Sequence, residues 1–310
     1  MADMKATRQG YGAGLAELAE KYSNVVALDA DLCGSVGTKE FAKKFPERHT
    51  NAGIAEANML GMAAGMARVG LVPFAASFAV FCPGRAFEIV RNSICYSNIN
   101  VKLVGSHGGL TTAADGGSHQ AIEDIAIMRV LPNMTIFNPC DYNQAKKMVQ
   151  AMYDIDGPVY MRTARIPTPI LTSEDEPFVP FKVQTLRKGK DVAVIATGVM
   201  NSYALEAAEK LAAEGIEAEV VNVHTIKPLD TEGIKAAAAK CGGRVVVVED
   251  ANVMGGLGEA VAYALLGQDI KFAHAAVMDR FGQSGDLPSL MKDYGLDTES
   301  IIAKIKSVLQ

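Results

Sequence analysis

Val192-Ala-Val-Ile-Ala-Thr-Gly198 opens with five consecutive apolar residues, ends in a Thr-Gly turn signal, and is far too short to be a buried helix. Beyond it Leu205, Ala208, Leu211 and Ala212 recur on one face at helical spacing. Gly215 then stands where a helix can stop in the left-handed conformation that glycine adopts without strain. Glu219-Val-Val-Asn-Val223 reads as the next buried strand. Strand, helix and strand in this order form a βαβ unit, and a sheet built from such units is parallel and covered on both faces.

The alternation continues in both directions. Arg244-Val-Val-Val-Val-Glu249 follows Gly242-Gly243 as a further strand, and a last helix is expected over Thr298–Val308. Toward the N-terminus, a helix near Thr7–Lys21 precedes the strand Asn24–Leu28. Val101–Gly105, Met134–Phe137 and Pro158–Arg162 also read as strands. Asp141-Tyr-Asn-Gln144 has the spacing of a capping box, in which paired side chains satisfy the first free backbone N–H groups, and predicts a helix over Asn143–Tyr153. The run TSEDEPFVPF from Thr172 has three acids, two prolines and no helical period. It predicts a linker at 172–190 between domains at 1–171 and 191–310. The fold class expected is α/β, with two parallel-sheet, three-layer domains.

Composition narrows the function. Of 310 residues, 49% are apolar and 21% charged, enough to bury two cores and incompatible with intrinsic disorder. Thirty basic against 35 acidic residues leave a net charge of −5, which disfavours a general nucleic-acid binder. The five cysteines are scattered and form no CxxC, as expected for reduced thiols in a cytoplasmic protein without a disulfide frame or zinc site. The polar start and the lack of a long apolar run predict a soluble chain with no membrane attachment.

Four groups of residues can carry chemistry. Glu56 begins a helix otherwise built from Ala, Gly and Met; its carboxylate either complements the helix dipole or, desolvated among apolar neighbours, stays protonated as a donor. The loop Ser106–Gln120 holds two of the five histidines, His107 and His119, with Asp115 and four glycines. It follows a strand, where open α/β sheets place their ligands. Phe78 and Phe81 sit at a strand-to-loop transition beside Pro83-Gly84, where a ring can stack on a flat ligand. Arg8, Arg162 and Arg165 can grip an anion. No metal-ligating set is expected within the chain. Gly255-Gly-Leu-Gly258 departs from GxGxxG and lacks the ribose-binding acid, and there is no GxxxxGK[ST] element, so dinucleotide and P-loop chemistry are excluded.

In order and spacing, several segments resemble the C-terminal half of transketolase. They are Ala6-Thr7-Arg8, Ala30-Asp31-Leu32 with Ser35, Gly53-Ile-Ala-Glu56, Ser77-Phe78-Ala-Val-Phe81, His107 with Asp115 and His119-Gln120, Pro139-Cys-Asp141, and Arg162. The resemblance implies a pyrimidine-binding domain followed by the family's C-terminal domain, with thiamine diphosphate as cofactor. It implies that Glu56 hydrogen-bonds the aminopyrimidine and favours its imino form, that Phe78 and Phe81 wall that ring, and that Asp31 lies near the cofactor. It further implies that His107 and His119 are acid/base and orienting groups. Asp115 would read a substrate hydroxyl with Gln120, on the substrate side, supporting that network, and Arg8, Ser35 and Arg162 would hold a distal phosphate or other anion. Gly84 stands where the family usually has a tyrosine, and Leu110–Ala114 is smaller and less acidic than usual.

The family's Gly-Asp-Gly…Asn motif for Mg2+ and diphosphate is absent. The resemblance therefore implies half of a split enzyme, with a partner subunit carrying the Mg2+ site in an α2β2 assembly. The reaction implied is transfer of a two-carbon ketol unit from a ketose phosphate to an aldose phosphate. A deoxyxylulose-phosphate-synthase-like chain, a 2-oxo-acid dehydrogenase β subunit and a non-catalytic assembly subunit are the alternatives.

Overall fold

A computed structural model describes residues 3–310. Two sheets form the frame. Across the first, the strand order is Thr225–Lys227, Thr135–Phe137, Val159–Arg162, Lys102–Ser106, Val72–Phe78, Val25–Asp29 and His49–Asn51. All neighbours are parallel except Thr225–Lys227, which runs antiparallel to Thr135–Phe137. The second sheet runs Lys271–Val277, Arg244–Asn252, Val192–Ala196, Ala218–Asn222 and Gln184–Arg187, the last of these antiparallel. The expected α/β class with parallel-dominated sheets is what the chain adopts.

Strand residues alternate between faces, and this divides each apolar run into two cores. Val26 and Leu28 pack with Met59, Leu60 and Ile94 on one side of the first sheet, while Val25 and Ala27 pack with Tyr11, Leu15 and Phe74 on the other. In the second sheet, Val194, Val246 and Val248 face Met200, Leu211 and Ile305; Ile195, Val245 and Val247 face Ile234, Leu257 and Val261. Each sheet is thus the middle layer of three.

The helices begin for local reasons. Asp141 Oδ1 accepts the Gln144 N–H at 2.8 Å and opens the helix Tyr142–Asp154. Its Oδ2 also accepts from the N–H groups of Leu171 and Thr172 at 2.7 and 2.6 Å, so the cap ties down the end of the first domain as well. Asp230, Asp286 and Asp297 cap the helices Thr231–Lys240, Leu287–Asp293 and Thr298–Leu309 in the same way.

Two features of the organisation go beyond the sequence reading. Within the segment 172–190 expected as a linker, Gln184–Arg187 is the antiparallel edge strand of the second sheet, and Phe178 packs edge-on against Phe137 at 5.9 Å. The second half also gives the strand Thr225–Lys227 to the first sheet. Sequence order and spatial order therefore diverge at this seam, because a three-residue strand leaves too weak a pattern to read. Among the described residues, no helix is long and apolar enough to cross a membrane.

Candidate functional site

The functional side chains collect at the C-terminal ends of the first sheet's strands, the edge where open α/β sheets bind ligands. Val25–Asp29 leads to Asp31, His49–Asn51 to Glu56, Val72–Phe78 to Phe81, and Lys102–Ser106 to His107. Phe78 and Ser106 are direct register partners, which brings the two loops together.

The rings form one cluster. Phe78 stacks on His107 with centroids 4.0 Å apart, and lies 6.2 Å from Phe81 with the rings nearly parallel. His119 meets Phe81 and Phe78 edge-on at 5.5 and 6.0 Å. Phe81 lies on Val80–Arg85, which winds as a π-helix, a form often found at functional sites. Phe81 and His119 are half-buried, so their rings remain available to a ligand.

Glu56 is 1% exposed and begins the helix Glu56–Arg68, as expected. Its surroundings are not purely apolar. Arg85 Nη1 donates to Oε2 at 3.0 Å, and the same guanidinium lies 4.7 Å over the Phe81 ring. The expectation that only apolar neighbours surround this carboxyl is therefore corrected in this chain: the Arg85 guanidinium faces it. Arg85 falls four residues after Phe81, a spacing that could have flagged it.

His107 is almost completely buried and adopts φ +63°, a left-handed backbone that costs a side-chain-bearing residue of order 1 kcal/mol. Ser106 Oγ lies 2.9 Å from its Nδ1, and Thr112 Oγ1 donates to its carbonyl at 2.7 Å, over-determining the strained turn. Burial first, then the charges of Arg8, Arg165 and His119, push its pKa down to about 3. His107 is thus a neutral imidazole at neutral pH, able to orient a bound group by hydrogen bonding but not present as the imidazolium acid.

Of the arginines, Arg8 donates to the Ser35 carbonyl at 2.7 Å, joining two predicted site residues, while its buried Nε has no partner. Burial, and then the nearby Arg165 charge, pull Arg8 below its usual pKa. Arg165 pairs with Asp115 at 3.1 Å and donates to the Thr112 carbonyl at 2.9 Å. Two guanidinium groups held near His107 make a basic pocket suited to an anion.

Arg162 is not part of it, and its assignment as an anion clamp is corrected. Only 4% exposed, it forms an ion pair with Asp124 at 3.2 Å and donates to the carbonyls of Ala121 and Asp250 at 3.0 and 2.7 Å. It fastens the two domains together. Gln120 is also turned inward: its Nε2 donates to the carbonyls of Ala113 and Gln283 at 3.1 and 3.0 Å, which holds the histidine loop. Asp31 lies exposed on the rim, its Oδ1 accepting from Asn51 Nδ2 at 2.9 Å.

Asp250, from the second domain, is a participant that sequence reasoning missed. Its Oδ1 accepts the Leu110 N–H at 2.8 Å, and it approaches Gly109 so closely that a Cβ there would lie 2.0 Å from Oδ2. Gly109 also has φ +70°, so glycine is required twice over. Burial pushes Asp250 up to about 6, against the opposing pull of Arg162 and backbone N–H donors. The signal was two acids, Glu249-Asp250, after four consecutive valines.

The glycine loop at Gly255–Gly258 does not present a helix N-terminus to a nucleotide. Glu249 fills that position, accepting from the N–H groups of Leu257 and Gly258 at 2.7 Å each and lying 2.9 Å from His274 Nε2. One donor cluster was not foreseen: Asp29, Cys33 and His49 bring a carboxylate oxygen, a thiol and an imidazole nitrogen within 4.8 Å of one another.

Fold and site together define an α/β chain built on a pyrimidine-binding domain. It belongs to the transketolase family: residues 3–169 match the family model "Transketolase, pyrimidine binding domain" and residues 181–301 match "Transketolase, C-terminal domain". It is 48% identical over 305 residues to a protein of Methanocaldococcus jannaschii described as a transketolase C-terminal section, covering 97% of this chain and 95% of that one. A Clostridium protein described as a 6-deoxy-6-sulfo-D-fructose transketolase subunit is 42% identical, covering 96% of this chain and 92% of that one. A solved structure described as a split gene transketolase, inactive beta4 tetramer, superposes with a TM-score of 0.89 at 46% identity and covers 98% of each chain.

Proposed function

We propose that this chain is the C-terminal subunit of a split, thiamine-diphosphate-dependent transketolase that moves a two-carbon ketol unit from a ketose to an aldehyde acceptor. The observation that carries the reading is one continuous cluster: Glu56 and Arg85, the Phe78 and Phe81 rings, and His107 with His119, with Arg8 and Arg165 close to His107.

The residues fit one end of the cofactor. A buried carboxyl beside accessible aromatic rings suits an aminopyrimidine: Glu56 would accept from the ring N–H that the imino form carries, and Phe81 with Phe78 offers a flat wall. The bound cofactor supplies the electron sink for carbon–carbon cleavage. Among the described residues, the cluster of Asp29, Cys33 and His49 offers a thiol and an imidazole beside its carboxylate rather than the hard oxygen set that Mg2+ selects. The metal and diphosphate are accordingly assigned to an N-terminal partner subunit.

In this reading, Glu56 leaves Arg85 for the pyrimidine and holds its protonation pattern. His107, neutral and fixed, orients the donor carbonyl, and the half-buried His119 can exchange protons with a substrate hydroxyl. Asp115, paired with Arg165, reads a hydroxyl at the loop's edge, while Arg8 and Arg165 hold the distal anion, a phosphate or a sulfonate. The helix Glu56–Arg68 turns Gly61 and Gly65 outward with no atom within 4 Å of a built Cβ, and Ile54 beside it is largely exposed. Such a smooth, apolar face suits close packing against another subunit, in keeping with an α2β2 assembly.

The test is calorimetry of the chain with thiamine diphosphate and Mg2+, alone and with its N-terminal partner. Negligible heat alone and tight binding in the complex, accompanied by ketol transfer, are expected. Tight binding by the lone chain overturns the split site, and pyruvate decarboxylation without ketol transfer favours the synthase-like alternative.

A further inference from the structure

The cluster of Asp29, Cys33 and His49 is given no role in the proposed reaction. Asp29 ends the strand Val25–Asp29 and is fully buried; His49 begins the neighbouring parallel strand, and Cys33 begins the short helical turn Cys33–Val36. Their ligating atoms converge within 4.8 Å although the residues are 4 and 16 positions apart in sequence. Asp29 Oδ2 lies 2.7 Å from His49 Nε2 and accepts from Thr38 Oγ1 at 2.8 Å; Oδ1 is reached by the Leu32 N–H at 3.3 Å. Thr38 is itself buried, and its hydroxyl is also within 3.4 Å of the Cys33 carbonyl.

We propose that Asp29, Cys33 and His49 form a binding site for Zn2+, with three protein ligands and a fourth position open to solvent. The donor set selects the ion. A thiolate, an imidazole nitrogen and a carboxylate oxygen suit a borderline-soft, tetrahedral cation, and discriminate against Mg2+ and Ca2+, which take oxygen ligands. Cys33 and His49 are half-buried, which gives the ion an entry path and leaves one coordination position facing out, while buried Asp29 anchors the inner side. Thr38 supplies the outer hydrogen bond that aims the carboxylate, the second layer of contacts that metal sites ordinarily carry.

On binding, the Cys33 thiol releases its proton to solvent as the sulfur coordinates; the proton that His49 Nε2 shares with Asp29 leaves that nitrogen and is replaced by way of solvent on Nδ1, so the Asp29–His49 hydrogen bond gives way to two metal bonds. Affinity therefore rises with pH. The ion would clip the loop following Asp29 to the strand His49–Asn51. That strand and loop already touch through Asn51, whose Oδ1 accepts from the Asp31 N–H at 3.1 Å, so the clip would stiffen the rim that carries Asp31.

The experiment uses the full, untagged chain, stripped with chelator and titrated with CoCl2 as a spectroscopic stand-in, then with ZnCl2. A thiolate-to-cobalt charge-transfer band that saturates near about one equivalent per chain, and is abolished by Zn2+ but not by MgCl2, is expected. Cys33→Ser should remove the band and weaken Zn2+ binding roughly tenfold or more, as loss of a ligand or its support does elsewhere. His49→Gln, which can keep a hydrogen bond to Asp29, should weaken Zn2+ binding in the same direction while far-UV circular dichroism shows the fold intact. Absence of the band from the unaltered chain, or a band and Zn2+ affinity unchanged in both variants, overturns the proposal.

Discussion

Two buried glutamates, one in each domain, sit beside helix N-termini at strand ends and have opposite circumstances. Glu249 accepts from two backbone N–H groups and lies against His274, so its oxygens are engaged within its own domain. Glu56 has one side-chain partner, the guanidinium of Arg85, whose side chain is 53% exposed. A carboxylate saturated by backbone donors is structural, because nothing entering from outside could improve on what it already has. A carboxylate held by one mobile, solvent-facing side chain can exchange that partner for a ligand. Burial alone does not distinguish the two; the origin and number of the donors does.

The comparison breaks most easily at Glu56 itself. Glu56→Gln in the complete two-subunit enzyme is expected to lower kcat by about 10²–10⁴-fold, the range typical of a lost acid/base group. Thermal stability should hardly change, since the ion pair it loses is half-exposed and such pairs contribute about 0–1 kcal/mol. Near-normal turnover would remove Glu56 from catalysis. Glu249→Ala should do the reverse. It leaves two N–H groups and an imidazole without their carboxylate, and is expected to destabilise by about 3–5 kcal/mol in urea unfolding while turnover per folded molecule persists.

A sharper contrast separates the arginines. Arg165→Ala should raise KM about tenfold for an anionic ketose and little for an uncharged analogue, as expected when one charge-assisted contact of about 1.5–3 kcal/mol is lost. Arg162→Ala should instead lower stability with no preference between the two substrates, because its charge is spent on Asp124 and the seam. Equal KM effects on both analogues in Arg165→Ala would refute the anion pocket.

The smallest effect expected is on pH dependence. The pKa of His107 is about 3 when folded and near the ordinary imidazole value of about 6.5 when unfolded. Between these values the unfolded chain binds a proton that the folded chain refuses, so stability falls as pH drops below 6.5, by up to about 1.4 kcal/mol per unit. Asp250 works against this, because its raised pKa gives the folded state the extra proton between about 4 and 6. Urea unfolding of His107→Gln between pH 7 and 5 should show a smaller loss of stability than the unaltered chain. An identical loss would refute the buried-imidazole account.

Much of the fold was legible because it is written in local patterns. Val192–Ala196 and Arg244–Glu249 announce parallel strands by unbroken apolar runs, and Asp141 announces its helix by a cap. The strands Thr225–Lys227 and Gln184–Arg187 were not legible, since three or four residues of mixed polarity pair only because distant segments happen to be adjacent. The site divides on the same line. Residue types chosen for chemistry, such as Glu56, Phe81 and the loop histidines, could be picked out, and the structure gathers them. What each group touches could not be read: Arg162 and Arg165 lie three residues apart on one strand and its exit, yet one turns into the seam and the other toward His107. Arg85, Asp250 and the Asp29–Cys33–His49 trio all depend on contacts between segments too far apart in sequence for one window to contain.

The strand that the second half lends to the first sheet has a practical consequence. A gene cut in the connecting segment, as one would do to express the halves separately, would strip Thr225–Lys227 from its neighbour and bare the backbone of Thr135–Phe137. An uncovered apolar sheet margin invites pairing with other chains. Dissection of this protein should therefore supply Thr225–Lys227 in trans as a peptide, because a cut after Lys227 would part Val192–Ala196 from Arg244–Asn252 in the second sheet.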